Sequence, residues 1–122
     1  MWIYEKFHRW TDNTGSLEDA LSRDQMLDNI SLYWFTNTAA SSARIHWENT
    51  DASLSGGKLS LPVAATVFPR EIYRALKSWA EQTYSNLIYW NEAEHGGHFA
   101  AFEQPDIFVE EMRSAFRQLR EP

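Results

Sequence analysis

The chain has no cysteine among its 122 residues. This absence excludes disulfide bonds, thiol nucleophiles and thiolate metal sites, and it fits a reducing compartment. Positive charge is also scarce, because 11 lysines and arginines stand against 17 aspartates and glutamates and give a net charge of −6. A surface of this sign disfavours binding to nucleic acid, whose phosphates require clustered basic side chains.

Long apolar runs are missing as well. No stretch approaches the ~20 apolar residues of a membrane-spanning helix, and the acidic, aromatic N-terminus does not resemble a signal peptide. We therefore expect no membrane contact and a cytoplasmic location. Aromatic residues, in contrast, make up 15% of the chain, and 43% of it is hydrophobic. This composition is typical of a folded protein, and the length predicts one domain with a modest core.

The N-terminal half is predicted to be helical. Residues 2–10 form a short amphipathic helix, and a capping box of Ser22 and Gln25 opens a second helix that runs to about Phe35. A third helical segment covers residues 38–47. The side chains expected to face the core from the first two helices are Ile3, Phe7, Trp10, Leu27, Ile30 and Trp34.

The C-terminal half alternates strands and helices. Residues 61–68 and 87–90 are predicted strands, the first apolar enough to be buried on both faces, as parallel strands are. Helices are predicted over residues 69–82 and 105–119, so the order is that of a right-handed βαβ unit with one covering helix. The apolar faces expected to point inward are those of Ile72, Leu76 and Trp79, and of Phe108, Val109, Met112, Phe116 and Leu119.

These patterns divide the chain into three parts that form a single compact unit. Residues 1–50 are a helical segment, residues 51–60 are a linker rich in serine and glycine, and residues 61–122 are the βαβα part.

A histidine follows two adjacent glycines in the run Gly96-Gly97-His98, just after the second predicted strand. Glu71 stands in the equivalent place after the first strand. Catalytic groups gather at the carboxyl ends of parallel strands, and a carboxylate that binds one imidazole nitrogen leaves the other free to take a proton from water. Alternatively, Glu71 is a favourable residue at a helix N-terminus and His98 is a turn residue.

A metal site is a further alternative for this region, which contains Glu92, Glu94, His95, His98 and Glu103. Carboxylates and imidazoles bind zinc, but the two glycines between the histidines remove the helical face that such a pair would use. We therefore expect neither a metal nor another cofactor.

The run Gly-Gly-His-Phe-Ala-Ala-Phe-Glu-Gln-Pro at residues 96–105 resembles the catalytic-histidine loop of microsomal-type epoxide hydrolases, which have the α/β-hydrolase fold. Residues 61–72 resemble that family's strand and loop with the charge-relay acid. Residues 28–44 resemble the segment that leads back from the cap, and residues 2–10 resemble the helix before it. The resemblance implies an α/β fold class, namely the C-terminal part of an α/β-hydrolase with parallel strands, preceded by cap-derived helices.

The same resemblance implies that Glu71 is the charge-relay acid and His98 the catalytic histidine. The triad order in this fold is nucleophile, acid, histidine, and no G-x-S-x-G or G-x-D-x-G pattern occurs in the 122 residues. We therefore expect an N-terminal hydrolase part to be missing and the isolated chain to be inactive. The other open hypotheses are a hydrolase whose partner chain supplies the nucleophile, weak ester hydrolysis by the dyad alone, and a non-catalytic association module.

His46 is where the chain departs from the family. An Arg-x-Tyr pattern there supplies a tyrosine that donates a hydrogen bond to the epoxide oxygen, whereas this chain has Arg44-Ile45-His46. A phenol remains a hydrogen-bond donor at neutral pH, whereas an imidazole gains or loses a proton close to neutral pH. His46 is thus a candidate substrate-binding residue at the position where the family has a tyrosine.

The sequence also predicts that this chain associates with another chain. If the resembled fold is incomplete, the strand at residues 61–68 has an unpaired edge and some aromatic helix faces are uncovered. Such edges and patches favour pairing with another chain. We predict a homo-oligomer, most simply a two-fold dimer.

Overall fold

The computed structural model describes residues 1–49 and 59–120, so most of the predicted linker at 51–60 lies outside the described residues. The helices and strands alternate much as expected along the chain. They are α1 (Trp2–Trp10), a short 3₁₀ helix (Leu17–Asp19), α2 (Arg23–Phe35), α3 (Ala39–Glu48), β1 (Val63–Val67), α4 (Lys77–Thr83), β2 (Leu87–Glu92), α5 (Ala100–Glu103) and α6 (Pro105–Arg117).

A small core joins the N-terminal helices to the C-terminal half. Leu17 and Leu21 are the most deeply buried side chains of this core and pack with Phe7 and Met26. Phe99 and Phe102, more than 70 residues further along the chain, pack against the same cluster. This contact holds the end of α1 against the loop before α5, and burial of these apolar side chains stabilises that arrangement.

The predicted capping box is present at the start of α2. The Gln25 backbone N–H donates to Ser22 Oγ at 3.2 Å, and the Ser22 backbone N–H donates to Gln25 Oε1 at 2.9 Å. The predicted apolar stripe of this helix is wrong as a core face, because Leu27 is 51% exposed and Trp34 is 80% exposed. Met26 is the buried residue of α2 instead, and Ile30 is the one member of the predicted stripe that is partly buried.

β1 and β2 form a two-stranded parallel sheet in the described part of the chain, as predicted. Val67 pairs with Glu92 at the carboxyl end, and the register shifts once between Val63 and Ala64. Burial of β1 on both faces is not observed, because Ala64 is exposed and the strand has a single described neighbour.

The segment before α4 is a turn rather than the predicted helix. Arg70 still pairs with Gly97 in a parallel bridge, and the Glu71 carboxylate accepts the backbone N–H of Ile72 at 2.8 Å. Both contacts hold the backbone outside the helical region, so α4 begins only at Lys77. The predicted inward face of this helix is also wrong, because Ile72, Leu76 and Trp79 are exposed.

α6 begins at Pro105, as predicted, and is fastened to the sheet by Glu111. Its carboxylate accepts hydrogen bonds from Thr66 Oγ1 at 2.7 Å, from the Tyr89 hydroxyl at 2.9 Å and from Asn91 Nδ2 at 2.9 Å. Burial and this carboxylate together raise the pKa of Tyr89. The predicted apolar face of α6 is only partly covered by the described residues, with its five side chains between 37% and 53% exposed.

None of the helices in the described ranges 1–49 and 59–120 has the length and apolar character needed to cross a bilayer.

Candidate active site

The sheet brings Glu71 and His98 together. Beyond the paired ends Val67 and Glu92, the bridge between Arg70 and Gly97 continues the pairing of the two chain segments. Glu71 and His98 are the next residues after this bridge on each side. The Arg70 backbone N–H also donates to the Gly96 carbonyl at 3.1 Å, which fixes the separation of the two segments next to the bridge.

The predicted contact is present: His98 Nδ1 lies 2.7 Å from Glu71 Oε1. Because an ionised carboxylate only accepts hydrogen bonds, Nδ1 carries the proton and donates it. The neutral imidazole then has a lone pair on Nε2, which can accept a proton. The side chains are 37% and 28% exposed, so water reaches the pair.

Two glycines shape the loop that presents His98. Gly96 adopts φ +111°, where side chains are strained, and a Cβ there would lie 2.7 Å from a ring carbon of Phe68. A Cβ on Gly97 would lie 2.5 Å from the Trp10 carbonyl oxygen. That same oxygen accepts the backbone N–H of His98 at 2.8 Å, so the loop needs glycine in order to touch the end of α1.

Aromatic rings surround the imidazole. The rings of Trp10 and Phe99 pack edge-on against the His98 ring, with centroid distances of 5.1 and 5.0 Å. They also stack on each other, with their centroids 6.3 Å apart. Lys6 lies over the Trp10 ring, 4.9 Å from its centroid. Such packing limits the rotation of the imidazole and keeps its orientation toward Glu71.

A mostly apolar cavity of about 620 Å³ lies beside the dyad, because Trp10 and Phe99 both line it and contact His98. This volume accommodates a small organic molecule. Its other walls come from α1, α2, α3 and Phe102. The polar side chains at its surface are those of Lys6, Asn29, Tyr33, Ser42 and His46.

His46 lines this cavity from α3, and its ring meets that of Trp2 edge-on at 6.2 Å. The structure thus brings His46 to the cavity but gives no contact between it and the dyad. Within residues 1–49 and 59–120, no group of three or more histidine, aspartate or glutamate side chains is arranged to hold a metal ion.

Sequence reasoning missed two carboxylates that support the loop. Glu103 was considered only as a metal ligand and Asp12 was given no role, yet both accept backbone N–H groups around His98. The one available signal was the position of Glu103, a charged residue between the aromatic Phe102 and the helix-opening Pro105.

No protein-family model matches the chain. It is 71% identical over 119 residues to a Stigmatella aurantiaca protein named "Putative epoxide hydrolase", and 34% identical over 123 residues to epoxide hydrolase 1 of Sus scrofa. The alignments cover 98% and 92% of this chain.

Solved structures resemble the chain over nearly its whole length. The juvenile hormone epoxide hydrolase of Bombyx mori superposes with a TM-score of 0.85 and 29% identity, over 98% of this chain and 34% of that one. The epoxide hydrolase of Aspergillus niger superposes with a TM-score of 0.78 and 27% identity, over 96% of this chain and 29% of that one.

The chain spans 27% of the length of the curated relatives that it matches. This coverage is consistent with the predicted C-terminal portion. The chain is therefore homologous to part of the epoxide hydrolases of the microsomal and juvenile hormone type, and it has the fold of part of an α/β-hydrolase.

Proposed function

We propose that this chain is the portion of an epoxide hydrolase that carries the charge-relay acid Glu71 and the general base His98. The observation that supports this most directly is the 2.7 Å contact between the two side chains, just past the ends of two parallel strands. The neighbouring apolar cavity suits a small epoxide, and the homologues are epoxide hydrolases.

In the proposed reaction, an aspartate from outside these 122 residues attacks an epoxide carbon and opens the ring, which leaves an ester. His98 Nε2 then takes a proton from a water molecule, and the water oxygen attacks the ester carbonyl. The ester bond breaks, and the His98 imidazolium returns its proton to the departing diol oxygen. The second proton of the water passes from the new carboxyl group to the alkoxide oxygen made in ring opening, so the diol leaves and the aspartate is regenerated as a carboxylate. Glu71 stabilises the imidazolium and holds its tautomer, and His46 donates a hydrogen bond to the opening epoxide oxygen.

A chimera tests this proposal. This chain replaces the aligned segment of the Stigmatella aurantiaca relative, whose 71% identity favours a native-like junction. If the parent protein forms diol from styrene oxide, we expect the chimera to form it too. A folded chimera without activity, beside an active parent, would contradict the proposal.

A second candidate function is association without catalysis. It is supported by the exposed apolar face of α6, which includes Met112 and Phe116, and by the second edge of β1, which has no described partner. Apolar patches and strand edges of this kind favour pairing between copies.

For the isolated chain at micromolar concentration, we predict a two-fold dimer. Light scattering should give twice the chain mass of 14.2 kDa, because pairing buries the exposed face of α6. Met112→Glu should shift the population toward monomer, whereas Glu110→Gln on the same helix should not. A monodisperse mass of 14.2 kDa for the unmodified chain would refute the dimer.

A further inference from the structure

Four successive backbone N–H groups of the loop at residues 96–99 all donate to acceptors that hold the loop in place. The Gly96 N–H binds Asp12 Oδ2 at 2.9 Å, and the His98 N–H binds the Trp10 carbonyl at 2.8 Å. The N–H groups of Gly97 and Phe99 bind Glu103 at 3.1 and 3.0 Å. A hydrogen bond thus holds each of the four backbone N–H groups of the loop that carries His98.

Glu103 is unusual for a carboxylate, because it is only 8% exposed. Burial of an ionised group is costly unless hydrogen bonds replace its water. Three backbone N–H groups replace it here: that of Phe99 on Oε1, and those of Gly97 and Asp12 on Oε2, the Asp12 bond being 2.6 Å long. The side chain therefore ties the end of α1 to the loop with His98.

Asp12 connects the same region to the chain segment that carries Glu71. Its Oδ1 lies 3.5 Å from Nε of Arg70, the residue directly before Glu71. The Asp12 and Glu103 side chains, which we call the carboxylate clasp, thus contact both chain segments that carry the dyad.

We propose that Glu103 is a positioning residue for His98, and that the carboxylate clasp holds the loop so that Nδ1 meets Glu71 and Nε2 stays free. The catalytic meaning of this inference rests on the proposed function, but the geometry that it predicts does not. Glu103 touches no substrate and acts through the backbone of residues 97 and 99.

A carboxylate is required because it offers acceptors only. Glutamine at position 103 has one acceptor oxygen, and its amide nitrogen would face at least one backbone N–H. Two donors in contact leave a buried N–H without a partner, which is unfavourable. Glu103→Gln keeps the size of the side chain, so it tests the acceptor role without creating a cavity.

The experiment is nitrogen NMR on the full 122-residue chain with labelled histidine and backbone. In the unmodified chain, we expect the His98 ring to show a protonated Nδ1 and an unprotonated Nε2 at high pH. Glu103→Gln should lower the chemical-shift difference between the two nitrogens by half or more, because the tautomers then mix. Exchange of the Gly97 and Phe99 amide protons should become about tenfold faster.

Glu110→Gln is the matched control, because it makes the same charge change at an exposed position of α6 and should alter neither readout. A folded Glu103→Gln chain with unchanged ring shifts and amide exchange would overturn the proposal. If Glu103→Gln does not fold, Asp12→Asn tests the other half of the clasp: faster exchange at Gly96 with altered His98 shifts supports it, and unchanged shifts overturn it. Neither measurement uses enzymatic activity, so the proposed function can fail independently.

Discussion

Replacement of His98 by alanine in the active chimera is expected to lower diol formation by on the order of 10⁴-fold. The reason is that water attack on the ester requires the base, whereas ring opening by an aspartate does not. The ester should therefore accumulate, and intact-protein mass spectrometry should detect one substrate mass added to the variant. Glu71→Gln should give the same accumulation with a smaller loss of rate.

His95→Ala is the matched control, because His95 is exposed and only three residues away, and it should leave the rate unchanged. The isolated 122-residue chain should form no diol from styrene oxide above background, because the proposed reaction needs an aspartate nucleophile that we place outside these residues. Steady diol formation by the isolated chain, abolished by His98→Ala, would instead support a hydrolase that needs no external aspartate.

Gly97→Ala is expected to destabilise the chain by about 3 kcal/mol, at the upper end of what overpacking costs. The new Cβ would lie 2.5 Å from the Trp10 carbonyl oxygen and 3.0 Å from the Asp12 backbone nitrogen. Both are backbone atoms, which cannot move aside as a flexible side chain does. Relief of the clash would separate the loop from α1 and break the bond from the His98 N–H.

Urea unfolding followed by tryptophan fluorescence measures this effect. Gly15→Ala is the control: Gly15, unlike Gly97, has a positive φ, +129°, but a Cβ there meets nothing within 4 Å. It should cost about 1 kcal/mol from backbone strain alone. Equal urea midpoints for the two variants would show that the close approach of Gly97 to the Trp10 carbonyl does not determine the stability of the chain.

The contact between Glu71 and His98 could be predicted from two kinds of signal, the strand pattern before each residue and the resemblance of the surrounding motifs to a known family. Each residue follows an apolar strand segment, and parallel strands bring their carboxyl ends to one edge. The start of α2 at the Ser22 capping box and the start of α6 at Pro105 were predictable because their signals are local. The late start of α4 was not, because the bridge between Arg70 and Gly97 overrides local helix preference.

The bond between the Asp12 N–H and Glu103 spans 91 residues, and no periodicity or spacing signals such a contact. Periodicity also shows which face of a helix is apolar but not whether anything covers it. Leu27, Trp34 and Trp79 were predicted to be inside on that basis, and all three are exposed. Coverage depends on tertiary neighbours that a local pattern does not contain.

The bridge between Arg70 and Gly97 is reached by unequal paths, three residues after Val67 on one strand and five after Glu92 on the other. The alignment of acid and base is therefore set at the bridge, one residue before each of them, and not by the lengths of the connecting loops. The Ala93 backbone N–H still donates to the Val67 carbonyl at 2.9 Å, so the extra residues of the longer path are the exposed Glu94 and His95. The spacing between Glu71 and His98 and the length of the exposed loop before Gly96 are therefore set by different parts of the chain.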